Sequence, residues 1–156
     1  MGRWTQGQRE VERLLRDRHL QQVVADDDTV AALLQAASRH LATAASAVEG
    51  DPEGAYSLAY DAARKAATAL LAHQGLRPTS AGGHIAVVEV IRAQFPKVPG
   101  LVSLDRLRRR RNQSEYPQPR AYDPIESDEA ADAVAVARDC LANARRLLEL
   151  DQLGVF

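Results

Sequence analysis

Apolar residues recur every three or four positions along most of the chain, which is the spacing of one face of an α-helix. The clearest stripe contains Val30, Leu33, Leu34, Ala37, Leu41, Ala44, Ala45 and Val48. Valine and isoleucine do not alternate with polar residues over a useful length, as they would in half-buried strands. The pattern therefore predicts a helical protein without strands.

Capping residues, glycines and prolines divide the pattern into six predicted helices. These cover about residues 8–24, 28–50, 51–74, 84–95, 101–115 and 127–148. Asp28 and Ser127 are predicted N-caps, and Asp51-Pro52-Glu53 has the order of cap, proline and acid that is typical of a helix start. Gly75 is the predicted residue just beyond the third helix, and residues 76–83 are predicted to form a loop.

Short connections favour antiparallel neighbouring helices. The predicted fold is all-α, an up-and-down bundle of four long helices plus a shorter fifth helix. Residues 28–151 are expected to form the bundle, with an N-terminal helix and linker over 1–27 and a tail over 152–156. A chain of 156 residues is long enough to bury a substantial core.

Composition narrows the choice of function. With 20 Lys+Arg against 21 Asp+Glu, the net charge is −1, which argues against a uniformly basic surface for duplex DNA. The single Cys140 excludes an intramolecular disulfide. No apolar stretch approaches the roughly 20 residues of a membrane span, so we expect no membrane partner and a cytoplasmic location. None of the four histidines has metal-site spacing, and we predict no metal and no cofactor.

The most informative segment is rich in arginine: five of the six residues from Arg106 to Arg111 are Arg. Leu101, Leu104 and Leu107 lie on one helical face, and continuing that face places Arg108 and Arg111 on or beside it. Arg109 and Arg110 are then predicted to point towards water. A guanidinium near the core needs a partner or a ligand, and the candidate partners are Tyr56, Tyr60 and Glu115, which lies one turn beyond Arg111.

Two interpretations of this segment remain open from the residue types alone. It is either a solvated basic helix end that is anchored by a structural salt bridge, or an anion site in which clustered guanidiniums bind phosphate. His84, which follows Gly82-Gly83 at a helix start, is a further candidate to reach such a site. The alternative for His84 is a capping or packing role.

Three segments together resemble the HEPN family, the small helical domains of prokaryotic toxin–antitoxin, defence and RNA-processing systems. They are Arg111-Asn112-Gln113-Ser114-Glu115-Tyr116-Pro117, the Ala-rich segment 58–67 that carries Tyr60, and the turn over 70–78 with Gly83-His84. The resemblance covers residues 28–150 and implies the family's helical bundle. It also implies metal-independent RNA cleavage in a cleft that is lined by Arg–His pairs from two subunits.

The resemblance assigns the predicted site residue by residue. Arg111 matches the family's catalytic Arg, Asn112 matches its polar neighbour, and Tyr116 stands where the family has His. A phenol with a pKa near 10 is a poor base at neutral pH, although Tyr116 could donate a hydrogen bond to phosphate or stack on a base. Arg108, Arg109 and Arg110 are predicted to bind the nucleic acid.

The predicted function is therefore an RNA-directed HEPN domain, with metal-independent endoribonuclease activity in a toxin–antitoxin or defence system as its enzymatic form. The alternatives are a non-catalytic HEPN domain that binds a nucleotide or a protein partner, and a helical scaffold with no ligand. A homodimer is expected, and a nucleotidyltransferase or an antitoxin is a candidate partner. Partner nucleotidyltransferases adenylylate a tyrosine near the motif of some HEPN toxins, which makes Tyr116 a candidate modification site.

Overall fold

The computed structural model describes residues 3–156, and the fold is all-α as predicted. Within these residues there are six α-helices and one pair of short strands. The helices are α1 (Gln8–Arg16), α2 (Asp27–Ala47), α3 (Pro52–His73), α4 (Gly83–Gln94), α5 (Leu104–Glu115) and α6 (Ser127–Leu148). The strands are β1 (Leu20–Gln22) and β2 (Leu76–Pro78), and a 3-10 turn, Leu101–Ser103, precedes α5.

Helix α3 is the centre of the bundle, and it packs mainly against α2 and α6. Eleven of its 22 residues are buried, and seven of these are alanines. Small side chains allow neighbouring helices to approach closely, so an Ala-rich helix can be surrounded on several sides. The expected start is also found, because the Asp51 carboxylate accepts a hydrogen bond from the Gly54 N–H. Gly75, with φ 72°, follows the helix as predicted.

The two strands were not predicted. β1 pairs with β2 in antiparallel register, Leu20 opposite Pro78 and Gln22 opposite Leu76. The first helix was expected to reach residue 24, but α1 ends at Arg16 and Arg18 takes a left-handed φ of 62°. A strand of three residues is too short for an alternating pattern to be recognised. Each of these strands forms because the fold places the other one beside it.

Two predicted helix caps were wrong by one or two residues. Asp26, rather than Asp28, caps α2 and accepts hydrogen bonds from the Asp28 N–H and the Thr29 hydroxyl. Ser127 is the first residue of α6, and Glu126 occupies the cap position. Three consecutive aspartates, 26–28, stand at the start of α2, so each of them suits the cap there, whereas the Glu126 side chain makes no capping hydrogen bond.

The segments at the two chain ends pack on the bundle. Val11 and Leu14 of α1 are fully buried in the core, and the Trp4 ring lies 5.2 Å from that of Phe95. The Phe156 N–H donates to the Gln74 carbonyl over 2.9 Å. The three-part division of the chain stays a prediction, and these contacts describe how its parts meet.

Candidate functional site

Helix α5 carries the arginine segment and is held at its start by close packing. Leu104 and Leu107 are buried, and Gly100 precedes the 3-10 turn with φ 83°. A Cβ at Gly100 would lie 2.5 Å from the backbone nitrogen of Cys140, so only glycine fits against α6 there. At the other end of α5, the Ser114 hydroxyl donates to the Glu53 carboxylate in the first turn of α3. These contacts fix which way the arginines point.

The arginines of α5 divide between two sides of the helix. The exposed fraction of the side chain is 17% for Arg108, 13% for Arg110 and 21% for Arg111, against 72% for Arg109. The predicted inward placement of Arg108 and Arg111 and the outward placement of Arg109 are confirmed.

The prediction that Arg110 points towards water is wrong. Its Nε donates to Glu129 over 2.7 Å, and the neighbouring Nη2 donates to the same carboxylate over 3.0 Å. This hydrogen bonding raises the pKa of Arg110. Glu129 lies in the first turn of α6, so this ion pair holds Arg110 against the start of α6 on the side that the apolar pattern left for solvent.

Arg111 lies against two of the partners expected from the sequence. Its Cζ is 5.7 Å from the centroid of the Tyr60 ring, a distance at which a cation and an aromatic face attract each other. Its Nε is 3.1 Å from a carboxylate oxygen of Glu115. That contact does not have hydrogen-bond geometry, and within residues 3–156 the buried Nε of Arg111 has no hydrogen-bond partner. Tyr56, the third expected partner, is buried nearer to the charges of Arg106 and Arg110.

Arg64 is a second guanidinium of the same kind, and it was not among the predicted site residues. It lies on α3 one turn after Tyr60, and its side chain is 25% exposed. The nearest carboxylate oxygen, on Asp61, is 3.8 Å away, and the buried Nε of Arg64 also lacks a hydrogen-bond partner in the described chain. An arginine four residues after a tyrosine on an Ala-rich buried helix was the only available signal for it.

His84, at the start of α4, joins this group through Tyr60. Its Nδ1 is 3.0 Å from the Tyr60 hydroxyl oxygen, and the two rings are tilted by 49°. Burial lowers the pKa of His84, and the charges of Arg64 and Arg111 lower it further. Burial raises the pKa of Tyr60 to about 12. The imidazole is therefore neutral and the phenol protonated at neutral pH.

A groove of about 310 Å³ opens beside His84. It is lined by Arg64, Thr68, Pro78, Thr79, Ser80, Gly83, His84 and Val87. We name the four residues Tyr60, Arg64, His84 and Arg111 the cationic cluster. Its members come from α3, α4 and α5, and the groove gives a small ligand access to two of them.

The other predicted site residues lie around the cationic cluster. Arg108 donates through Nε and Nη2 to Asp105 over 3.2 and 2.9 Å. Asn112 is half-buried, and its carbonyl accepts the Tyr116 N–H over 3.0 Å. Tyr116 follows the last residue of α5 and is 76% exposed. The structure thus brings Arg111 together with Tyr60, Arg64 and His84, and places the Tyr116 ring on the surface.

A second groove of about 550 Å³ lies on the outer side of α5. Its lining residues are Arg92, Val102, Asp105, Arg106, Arg109, Arg110 and Gln113. The cations are largely matched by carboxylates here. Asp105 forms ion pairs with Arg92 and Arg109 as well as with Arg108. Arg106 forms an ion pair with Asp132 over 3.2 Å. Burial alone would raise the pKa of Asp105, but the Arg108 hydrogen bond and the surrounding charges lower it.

Within residues 3–156, no group of three or more His, Cys, Asp or Glu side chains is arranged to hold a metal ion. In the same part of the chain, every helix is too short or too polar to cross a membrane.

The fold and the cationic cluster define a small all-α domain whose late, Arg-rich helix contributes to a half-buried cationic site. A family model described as the HEPN domain matches residues 30–152, which is most of the 156 residues. The chain belongs to the HEPN family. No curated protein and no solved structure matches it.

Proposed function

We propose that this HEPN domain is directed at RNA and acts as a metal-independent endoribonuclease. One observation carries the proposal: Arg64 and Arg111 are each about three-quarters buried, yet the Nε of neither has a hydrogen-bond partner in residues 3–156. Buried polar groups of proteins are normally hydrogen-bonded. Arg64 lines the groove beside His84, and Arg111 lies behind it against the Tyr60 ring; two under-partnered guanidiniums so placed form an arrangement that an anionic ligand would complete.

The phosphodiester of RNA suits this site chemically. Guanidiniums offer planar sets of N–H donors that match phosphate oxygens. In a half-buried setting their charge is less screened than at the surface, so they stabilise the charge that develops on the phosphoryl oxygens during cleavage. Arg111 has this role in the proposal, and Arg64 supports it from α3.

The remaining site residues have supporting roles in the proposal. Arg109, the most exposed arginine of α5 apart from its contact with Asp105, binds the RNA backbone. Arg108 and Arg110, which are bonded to carboxylates, add positive potential and hold α5 in place. Asn112 completes the site next to Arg111, and Tyr116, on the surface, stacks on a base beyond the cleaved bond.

The proposed assembly and setting are those suggested by the resemblance to other members of the family. We propose a homodimer in which two cationic clusters face one cleft, in the cytoplasm, within a toxin–antitoxin or defence system. A nucleotidyltransferase that modifies Tyr116, or an antitoxin that covers the cleft, is the proposed partner. The 76% exposure of Tyr116 supports access by such an enzyme.

The second candidate is a non-catalytic HEPN domain that binds a nucleotide or a protein partner. It is favoured by Tyr116, which the motif resemblance places where the nucleases have His, because a tyrosine there supplies no base at neutral pH. This candidate keeps the phosphate-binding role of Arg64 and Arg111 and removes only the cleavage step.

Incubation of the protein with fluorescent single-stranded RNA in EDTA tests the proposal. Arg111→Ala and Arg64→Ala should abolish cleavage and weaken binding, whereas Arg145→Ala, on the exposed face of α6, should behave as the unchanged protein. Binding that depends on Arg111 without any cleavage would favour the second candidate. Binding that is equal in all four proteins would contradict both.

A further inference from the structure

His84 occupies a position that the proposed function leaves without a role. Its Nδ1 is bonded to the Tyr60 hydroxyl, and the ring lines the groove beside Arg64. No hydrogen bond involving Nε2 is found in the described chain. A neutral imidazole with one nitrogen oriented by a partner and the other unoccupied is the usual form of a catalytic base.

We propose that His84 is the general base of RNA cleavage in this protein, and that Tyr60 orients it through Nδ1. This inference rests on the proposed function, since it names the group that activates the nucleophile in the same cationic cluster. The histidine comes from the start of α4, 27 positions before Arg111 in the chain, and not from the end of α5.

The contact between His84 Nδ1 and the Tyr60 hydroxyl fits either tautomer of the imidazole, and the proposal takes the Nδ1–H tautomer. In that tautomer Nδ1–H donates to the Tyr60 hydroxyl oxygen, so Nε2 carries the lone pair and can accept a proton. The Tyr60 hydroxyl stays in the phenol form at neutral pH because burial raises its pKa to about 12. It can therefore accept this hydrogen bond both before and after His84 is protonated.

Burial first, and then the charged neighbours, lower the pKa of His84 and keep it in its basic form between turnovers. Arg64 on α3 and Arg108 and Arg111 on α5 disfavour a second positive charge, and Asp61 on α3 partly offsets them. When a phosphodiester neutralises the guanidiniums, this opposition falls and the imidazole accepts a proton more readily. Substrate binding and proton transfer are thereby linked through Arg64 and Arg111.

The cleavage step then balances as a transesterification. Nε2 takes the proton of the ribose 2′-OH, the 2′-oxygen forms a bond to phosphorus, and the bond from phosphorus to the 5′-oxygen breaks. The leaving 5′-oxygen takes a proton from water, which yields a 5′-hydroxyl and a 2′,3′-cyclic phosphate. His84 returns its proton to solvent. No metal ion takes part in any of these transfers.

The test compares His84→Gln and His84→Gly with His40→Gln, in EDTA and with one RNA substrate. His40 is a matched control because burial lowers its pKa as well, but its ring is not bonded to Tyr60. His84→Gln should reduce kcat by at least about 100-fold and leave the RNA Kd within about threefold. Added imidazole should restore part of the activity of His84→Gly, and an RNA with a 2′-deoxy sugar at the cleaved position should stay intact.

The outcomes distinguish the proposed role of His84 from the proposed nuclease function on which that role rests. If the unchanged protein cleaves RNA and His84→Gln does so at a similar rate, the role of His84 is overturned and the proposed function stands. Loss of activity in His84→Gly without rescue by imidazole, or equal loss in His40→Gln, also overturns it. If the unchanged protein binds RNA and does not cleave it, both the nuclease and its base are overturned.

Discussion

The guanidinium of Arg111 lies over the ring of Tyr60, with Cζ 5.7 Å from the ring centroid. This contact joins the arginine-rich helix α5 to the central helix α3. It also gives Arg111 a fixed position without a hydrogen bond to its Nε. Because Tyr60 contacts His84 through its hydroxyl, one side chain positions both the cation and the imidazole of the cationic cluster.

The two parts of the Tyr60 side chain can be tested separately. Tyr60→Phe keeps the ring under Arg111 and removes only the hydroxyl, so RNA affinity should stay within about twofold while cleavage falls. Tyr60→Leu also removes the cation–π contact, worth about 0.5–2 kcal/mol, and should weaken RNA binding by about threefold to thirtyfold. Fluorescence anisotropy measures the affinity, and a strong loss of affinity in Tyr60→Phe would contradict this division.

Arg109 and Arg110 should give opposite results when each is replaced by alanine. Arg110 is 13% exposed and bonded to Glu129, so Arg110→Ala should lower the free energy of unfolding by about 1–3 kcal/mol. Arg109 is 72% exposed, so Arg109→Ala should change stability by less than about 0.5 kcal/mol. Instead, Arg109→Ala should make RNA binding less sensitive to salt. The slope of log affinity against log salt concentration should become smaller in magnitude by about 1.

Urea unfolding and RNA titrations at several salt concentrations separate these effects. The two variants remove the same charge from neighbouring positions of one helix, so each is the control for the other. A larger loss of stability in Arg109→Ala than in Arg110→Ala would show that α5 is rotated relative to α6.

Gln74 and Gln94 form a reciprocal amide pair in the core. Each is 2% exposed, and each Nε2 donates to the other's Oε1, over 2.7 and 3.0 Å. Gln74→Leu leaves the Gln94 amide buried without a partner, which should destabilise the fold by about 1–3 kcal/mol. Gln94→Leu should do the same from the other side.

The double variant with leucine at both positions should be more stable than either single one, because no polar group is left unsatisfied. Chemical unfolding of the four proteins gives the coupling energy between the two positions. Additive losses would mean that the amides are not bonded to each other.

Stability should depend on pH through two half-buried histidines. Burial lowers the pKa of His84 and of His40 below 6.5, so the unfolded chain binds protons that the native chain does not. The free energy of unfolding should therefore fall as pH decreases from about 6.5 towards 5. Carboxylates whose pKa is lowered, such as Glu10 and Asp105, make their contribution above their unfolded pKa values of 4.5 and 3.8 and lose it only at lower pH.

His84→Gln should make the free energy of unfolding depend less on pH between pH 5 and pH 6.5. The pH dependence that remains in this range should come largely from His40. Thermal unfolding at matched ionic strength gives the slopes. An unchanged slope in His84→Gln would mean that His84 titrates normally in the native protein.

The sequence by itself determined the helical class and most helix bounds. The start of α3 at Asp51-Pro52 and its end before Gly75 follow from local backbone chemistry, because capping, proline and a left-handed glycine act within a few residues. The inward direction of Arg108 and Arg111 also followed from helical spacing alone. The family was identified from its motif segments for a related reason, since these lie in continuous stretches of the chain.

Only the tertiary structure decided which segments pair and which side chains from different helices come into contact. The strands β1 and β2 lie more than fifty residues apart, and neither carries a recognisable strand pattern. Arg110 points inward only because α6 starts beside α5, which the apolar pattern of α5 cannot indicate. Arg64, His84 and Arg111 come from three helices, and they meet at Tyr60 because the packing of α4 and α5 against α3 places them there. Periodicity describes one helix at a time, whereas a site between helices depends on how they are packed together.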